Sequence, residues 1–334
     1  MMPVESINTE FANVGATQWR SQLKIAVILP CRNEAGAVGA VIRDFQKYLP
    51  EAIIYVFDNN STDDTAKEAR DAGAIVLSEK REGKGYVVRR MFADVDADVY
   101  LMVDGDDSYD ISDAPKLVDR LVDEDFDIVN GARRQEEVDA YRPGHEWGNK
   151  FLTSLVGFIF GNEFDDMLSG YKVFSRRFVK SFPQFSSGFE IETELTIHAL
   201  QLQMPMAEVE TTFKDRANGT ESKLNTFADG FRILGAIYRL LMQGRPLFVF
   251  GIIGILLAGA SVVLAYPIIV EFIATGLVPR IPTAILCTGL MLLGFLSITC
   301  GFVMDVVTKG RQEAKKMHYL SIPSTRSLLE MSVA

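Results

Sequence analysis

The stretch that decides the fold is Val99-Tyr-Leu-Met-Val-Asp104-Gly-Asp106-Asp107-Ser-Tyr-Asp110, a short apolar run that ends in aspartates. A continuous apolar run is typical of a buried strand in a parallel sheet, and ligands collect beyond the carboxyl ends of such strands. Asp104 and Asp106 offer the hard oxygen ligands of Mg²⁺, which usually takes one or two carboxylates together with substrate phosphates. Acidic residues after a strand are also typical of solvated turns and helix caps. The stretch therefore indicates either a metal site for a nucleotide diphosphate or an ordinary acidic turn.

Strands and helices alternate around this stretch. The pattern predicts strands at 24–30, 52–57, 74–77, 98–103 and 126–130, and helices at 36–48, 65–72, 87–93 and 113–122. Ser61 or Thr62 is expected to cap the second of these helices. The alternation predicts βαβ units with right-handed crossovers, and so an α/β domain with a mostly parallel, Rossmann-like sheet.

The composition indicates a soluble domain joined to a membrane part, because 48% of the 334 residues are hydrophobic while 23% are charged. A net charge of −10 argues against nucleic acid as a partner, since a nucleic-acid binder shows a basic footprint. The cysteines, Cys31, Cys287 and Cys300, have neither metal-site spacing nor the pattern of a disulfide framework. Residues 1–22 are polar and lack the apolar core of a signal peptide.

Two uncharged runs, 247–270 and 281–304, are each long enough to cross the hydrocarbon core of a membrane. Basic residues precede the first run and follow the second, so the positive-inside rule places both ends in the cytoplasm at the inner membrane. These flanking residues are Arg239, Arg245, Lys309, Arg311, Lys315 and Lys316. The predicted organisation is a polar segment (1–22), a catalytic domain (23–223), an interfacial helix (224–245), two spans (246–306) and a cytoplasmic tail (307–334). A two-span anchor is also compatible with a homo-oligomer.

Two further apolar stretches are too short to span a bilayer. Residues 147–160 suit either a core helix or a helix at the membrane interface, and the residues alone leave this open. In residues 224–242, Arg232 and Arg239 lie among apolar residues at helical spacing, which favours an interfacial helix near anionic lipid.

An ordered set of motifs resembles glycosyltransferase family 2, which has the GT-A fold. Within that family the chain looks like the polyisoprenyl-phosphate glycosyltransferases, the group of dolichol-phosphate mannose synthase and the bacterial undecaprenyl-phosphate glucosyltransferases. The motifs are Leu29-Pro-Cys-Arg-Asn-Glu34, Asp58-Asn-Asn-Ser-Thr-Asp-Asp-Thr65, Gly83-Lys-Gly85, Asp104-Gly-Asp106, Asp166-Met-Leu-Ser-Gly170 and Arg216-Ala-Asn-Gly-Thr-Glu-Ser-Lys223.

The resemblance implies a nucleotide-sugar donor, with UDP-glucose favoured and other UDP-hexoses, a UDP-uronic acid or GDP-mannose left open. Asp58 matches the residue that reads the base, and Asn59 stands where the family usually has a second aspartate. The residues expected to contact the donor are Pro30, Arg32, Glu34, Asp58, Lys84, Asp104, Ser222 and Lys223. From spacing alone, Lys84 and the 216–223 loop also suit ordinary exposed turns.

Asp104 and Asp106 match the Asp-x-Asp pair that holds Mg²⁺ or Mn²⁺ against the diphosphate. Ser108 stands where the mannose synthases have a glutamine ligand, so water or Asp107 is expected to complete the metal shell. Asp166 is implied to orient the sugar or the acceptor, with a role as general base left open. Arg216, together with Asp106 and Asp166, is expected to act at the reacting centre.

The acceptor implied by the group is a polyprenyl phosphate. A phosphate monoester is largely dianionic at neutral pH, because its second pKa is about 6, so it is already a nucleophile. It needs a positive pocket, for which the candidates are Arg133, Arg134, Arg142 and Lys150, although each also suits ordinary surface charge. The family implies inversion at the anomeric carbon. The rival interpretations are a family 2 transferase that acts on a glycan hydroxyl and an inactive membrane scaffold with the same fold.

Overall fold

The computed structural model describes residues 19–135, 166–183, 188, 191–213, 235, 242 and 244–333. The chain divides into two compact units, Met1–Arg232 with Lys316–Ala334, and Ile233–Lys315. The amphipathic stretches predicted at 147–160 and 224–242 lie almost wholly outside the described residues.

Within its described residues, the first unit contains a sheet of seven strands in the order β3-β2-β1-β4-β6-β5-β7. All pairings are parallel except those of β6, which runs antiparallel to both β4 and β5. The predicted, mostly parallel α/β sheet is confirmed, while β6 and β7 were not predicted. The strands are β1 (Ile25–Cys31), β2 (Ile53–Asp58), β3 (Ile75–Ser78), β4 (Val99–Met102), β5 (Ile128–Gln135), β6 (Lys172–Ser175) and β7 (Met206–Phe213).

Helices follow the strands, and their apolar residues recur at the spacing of one helix face. In α4, for example, Leu117, Val118, Leu121 and Val122 are buried at helical spacing, so one face of the helix packs on the core. The α-helices in the described part of this unit are α1 (Val38–Tyr48), α2 (Thr65–Asp71), α3 (Lys84–Asp94), α4 (Ala114–Asp123), α5 (Arg176–Ser181), α6 (Ile191–Leu202) and α9 (Thr325–Val333). The predicted helices of the α/β part are confirmed, with α3 beginning three residues earlier than predicted because Lys84 is already helical.

The C-terminal residues of the chain belong to the same unit as the sheet. The Tyr319 hydroxyl donates a 2.6 Å hydrogen bond to Asp127, a fully buried residue just before β5. Helix α9 packs against α4, and Leu328 and Leu329 contact the hydrophobic core. Residues 316–333 are therefore an integral part of this unit.

The second unit contains α7 (Pro246–Thr275) and most of α8 (Ile281–Leu320). Ser261 Oγ donates to the carbonyl of Cys287 at 2.8 Å, and Ser297 Oγ donates to that of Phe250 at 2.9 Å, so the helices run antiparallel. Their outward side chains are apolar. For example, Ile273 is 79% exposed. Both helices are long and apolar enough to cross a membrane, as the two uncharged runs predict.

Candidate active site

The predicted site residues that the structure describes lie at one edge of the sheet. The carboxyl ends of β1, β2, β4 and β5 lie there, and antiparallel β6 brings its first residue, Lys172, to the same edge, paired with Met102 of β4. The strand order changes direction between β1 and β4, which is the point where open α/β sheets bind ligands. Residues placed around this edge include Pro30, Asp58, Asp104, Asp106, Arg133 and Asp166.

The loops after β1 and β2 hold each other in place. Asn33, in the left-handed region at φ 53°, accepts from the Thr62 backbone through Oδ1 at 2.8 Å, and its own N–H donates to Ser61 Oγ at 3.0 Å. The Glu34 N–H donates to Thr65 Oγ1 at 2.8 Å. The prediction that Ser61 or Thr62 caps α2 is wrong, because Asp64 is the N-cap and these hydroxyl residues bind the neighbouring loop instead.

The loop after β3 approaches the same edge. Glu82, in that loop, forms a 3.0 Å ion pair with Arg32, and both side chains are well exposed. Asp58, at the end of β2, is half-buried and accepts a hydrogen bond from the Ser61 N–H through Oδ1 at 3.3 Å. Three of the residues expected to contact the nucleotide, Arg32, Asp58 and Lys84, therefore come from three adjoining segments, after β1, β2 and β3.

Asn59 fixes the loop after β3. Its side chain is buried, and Nδ2 donates to the carbonyls of Glu79 at 3.0 Å and Arg81 at 2.7 Å. Its Oδ1 accepts from the Gly83 N–H at 2.9 Å. An aspartate cannot donate to those two carbonyls. The asparagine at this position is therefore explained by the conformation of the loop that leads to Lys84.

We expect Asn59→Asp to destabilise the protein by about 1–3 kcal/mol, because two buried carbonyls lose their donors and face a carboxylate. Nucleotide affinity should fall as well, since the loop that leads to Lys84 would lose the hydrogen bonds that hold its conformation. Thermal unfolding and UDP titration calorimetry measure the two effects. The matched control is Asn60→Asp, which makes the same chemical change at an exposed residue whose φ of 58° an aspartate tolerates. Equal behaviour of the two variants would contradict this role of Asn59.

Lys84 joins two carboxylates at the amino end of α3. Its Nζ lies 2.5 Å from Oδ1 of Asp104 and 2.6 Å from Oε1 of Glu192, which lies in the first turn of α6. Burial opposes the charge of the ammonium, but the two carboxylates outweigh it and raise the pKa of Lys84. A fixed positive charge thus lies beside the first aspartate of the predicted metal pair. Glu192 was not singled out from the sequence.

Asp104 and Asp106 lie just beyond β4 with different surroundings. The Asp104 side chain is 30% exposed, whereas Asp106 is buried and accepts from Ser108 Oγ at 2.5 Å. A Cβ at Gly170 would overlap Asp104 Oδ2, so any other residue there would force this carboxylate to move. A Cβ at Gly105 would likewise overlap the sulfur of Cys31.

The donor set fits a hard divalent cation. Two aspartates supply the number of carboxylates that Mg²⁺ usually takes from a protein when substrate phosphates complete its shell. Within the described parts of the chain, no group of three or more His, Cys, Asp or Glu side chains is arranged to hold a metal without such help. Burial, followed by nearby carboxylates, raises the pKa of Cys31, so its thiol stays protonated beside them.

Arg133 and Asp166 form a bidentate ion pair. Arg133 Nε donates to Oδ2 at 2.7 Å and Nη2 donates to Oδ1 at 2.8 Å, while the Arg133 backbone N–H donates to Oδ2 at 3.2 Å. Burial by itself would raise the pKa of Asp166, but the hydrogen bonds from Arg133 outweigh it and lower the pKa. The Arg133 side chain remains 24% exposed. Asp166 is thus arranged to hold a guanidinium.

Several predicted site residues cannot be placed. Arg134 lies in β5, but its side chain is outside the described part of the structure. The remaining ones fall outside the described residues altogether, and they are Arg142, Lys150, Arg216, Ser222 and Lys223.

Comparisons with known proteins show which proteins the chain resembles. Residues 26–182 match the family model described as Glycosyl transferase family 2. Glycosyltransferase AglJ of Haloferax volcanii is 31% identical over 298 residues, which cover 87% of this chain and 96% of that protein. A dolichyl-phosphate hexose transferase of the same organism is 27% identical over 221 residues, which cover 66% of this chain and 95% of that protein.

The fold also resembles solved structures. Glucosyl-3-phosphoglycerate synthase from Mycobacterium tuberculosis, crystallised in complex with Mn²⁺, uridine diphosphate and phosphoglyceric acid, superposes with a TM-score of 0.56 at 23% identity. The match covers 65% of this chain and 78% of that one. This likeness confirms the predicted GT-A fold.

Proposed function

The chain belongs to glycosyltransferase family 2, and on that premise we propose that it transfers a hexose from a nucleotide-sugar to a membrane polyprenyl phosphate. The observation that carries the acceptor class is the Arg133–Asp166 pair. An aspartate whose two oxygens are held by a guanidinium is a poor general base, and a dianionic phosphate acceptor needs none. A sugar hydroxyl would need one.

The donor is proposed to be a UDP-sugar, with UDP-glucose favoured. The support is the family resemblance and the structural neighbour that was crystallised with Mn²⁺ and uridine diphosphate. Asp58, at the end of β2, is proposed to read the base, and Lys84 to face the diphosphate from the start of α3. UDP-galactose, a UDP-uronic acid and GDP-mannose are alternative donors, and a sugar-transfer assay with a panel of donors distinguishes them.

Asp104 and Asp106 are proposed to hold Mg²⁺ or Mn²⁺ against the donor diphosphate. A divalent cation held there would neutralise negative charge that develops on the departing nucleoside diphosphate. Lys84 places a second positive charge on the same side, because it contacts Asp104. The acceptor phosphate is proposed to approach Arg133, whose guanidinium stays partly exposed while it binds Asp166, and to attack the anomeric carbon with inversion.

The two long apolar helices support a membrane-bound acceptor, since a polyprenyl chain stays in the bilayer. We propose the orientation that the basic flanks favour, with the transferase domain (23–223) and the tail (307–334) on the cytoplasmic side and the short connection 271–280 outside. A membrane-impermeant maleimide should then label Leu277→Cys, an exposed position between the helices, in intact cells. Labelling only after lysis would contradict this orientation.

The decisive experiment is sugar transfer in detergent with polyprenyl phosphate, Mg²⁺ and a panel of radiolabelled UDP- and GDP-sugars. We expect one donor to give a labelled lipid, the lipid-linked monosaccharide from which a cell-envelope glycan would be modified. Label that appears only on a soluble hydroxyl acceptor would overturn the proposed acceptor. Nucleotide binding without any transfer would favour an inactive membrane scaffold.

A further inference from the structure

A cluster of buried polar side chains adjoins the Arg133–Asp166 pair. Lys172, the first residue of β6, is fully buried, and its Nζ lies 2.5 Å from Oδ1 of Asn130. The same ammonium donates to the carbonyl of Met167 at 3.4 Å. Burying an ammonium costs free energy, and a protein with an apolar side chain of similar volume in its place is often at least as stable. The position of Lys172 therefore calls for a reason other than stability.

The cluster holds the backbone at Asp166. Asn130 Nδ2 donates to the Asp166 carbonyl at 2.8 Å and to Glu208 Oε1 at 2.6 Å, while the Asp166 N–H donates to the same Glu208 oxygen at 3.2 Å. Asn130 is paired in the sheet with Lys172 on one side and Glu208 on the other. Three adjacent strands thus supply one rigid support for the residue that holds Arg133.

We propose that Lys172, Asn130 and Glu208 are positioning residues that fix the Arg133–Asp166 pair for the acceptor phosphate. This inference rests on the proposed function, because it assigns the acceptor phosphate to Arg133. Asn130 and Glu208 bind the backbone of Asp166, and Lys172 holds Asn130 and the carbonyl of the next residue, Met167. Asp166 in turn orients the guanidinium of Arg133 through both its carboxylate oxygens.

The titration of Lys172 gives this support a pH dependence. Burial lowers the pKa of Lys172 to about 8, against the opposing effect of the carboxylates around it. The charged groups that face it are Asp166 before β6, Glu192 on α6, Glu208 on β7 and Arg133 on β5. Lys172 is therefore charged below about pH 8 and becomes neutral above it. The acceptor phosphate, with its second pKa of about 6, does not titrate in that range.

The test is Lys172→Met, assayed for acceptor KM, kcat and UDP affinity from about pH 6.5 to about pH 9. In the unmodified protein, acceptor KM should rise as the pH passes about 8. In the variant we expect acceptor KM to be raised about tenfold at neutral pH, UDP affinity to stay within about twofold, and the pH dependence to disappear. The matched control is Lys180→Met, which removes a lysine that donates to two carbonyls on α3 and after it.

An unchanged acceptor KM in Lys172→Met, or equal losses of UDP affinity and acceptor KM, would overturn the proposal. If that variant does not fold, Glu208→Gln serves, because it keeps an oxygen that accepts both hydrogen bonds and removes one carboxylate that faces Lys172. The pH at which acceptor KM rises should then move down, since Glu208 raises the pKa of Lys172. An unmoved midpoint would contradict the assignment.

Hydrogen exchange separates this inference from the proposed function. Lys172→Met should reduce protection of the Asp166 amide, which donates to Glu208, and leave the amides of β1 and β4 unchanged. Loss of protection together with transfer to some other acceptor would reject only the proposed acceptor. Unchanged protection at Asp166 would reject the positioning role, whatever the acceptor is.

Discussion

Asp106→Asn should lower kcat by about 10³-fold, because the metal ion that Asp106 is proposed to hold would supply several kcal/mol of transition-state stabilisation and each 1.36 kcal/mol is about tenfold in rate. The substitution keeps an oxygen that accepts from Ser108, so the buried turn after β4 should retain its shape. The sugar-transfer assay measures the fall in kcat, and electron paramagnetic resonance measures Mn²⁺ binding. Transfer and Mn²⁺ binding should be lost together.

Two companion variants sharpen this result. Asp71→Asn, at the exposed end of α2, changes net charge alone and should leave transfer unaltered. Asp107→Asn makes the same change next to the site, at a residue whose φ of 58° suits asparagine. A large loss in that variant would identify Asp107 as a third ligand. Normal Mn²⁺ binding and transfer in Asp106→Asn would exclude the metal role of Asp106.

Asp127→Ala should destabilise the protein by about 3–5 kcal/mol, the usual cost of removing one partner of a buried ion pair. Asp127 is fully buried, and its oxygens accept from Ser175 Oγ at 2.6 Å, Arg177 Nε at 2.5 Å and Tyr319 OH at 2.6 Å. Removing the carboxylate leaves a largely buried guanidinium and two hydroxyls without this acceptor. Thermal unfolding should show the loss, and trypsin should cleave faster after Arg326 because the C-terminal segment is released.

Asp125, two residues before Asp127, provides the comparison. Asp125→Asn keeps an oxygen that accepts from the Arg326 N–H and a φ of 53° that asparagine adopts readily, so the stability of the protein should change by less than about 0.5 kcal/mol.

Tyr319→Phe removes one hydrogen bond to a charged group and should cost about 1.5–3 kcal/mol. If truncation after residue 315 left thermal stability unchanged, residues 316–333 would not be integral to the domain.

The sequence by itself determined the features that depend on local pattern. The apolar run of β4 and the aspartates after it predict a strand that ends at a ligand-binding edge, and the structure places Asp104 and Asp106 there. The helices α1 to α4 and the two long apolar helices follow in the same way from apolar periodicity and from uncharged length. Such signals lie within one segment, so they can be seen without knowing what the segment packs against.

The tertiary structure alone decided which distant residues meet. The antiparallel course of β6, the contact of Lys84 with Glu192, the support of Asp166 by Asn130 and the bond from Tyr319 to Asp127 join segments far apart in the chain, by 192 residues in the last case. No local sequence pattern predicts these partners. Strand order brings the segments together, and buried polar groups then pair with one another. A lysine in a turn and a lysine held between two carboxylates look alike in sequence, and only burial among its partners distinguishes Lys84.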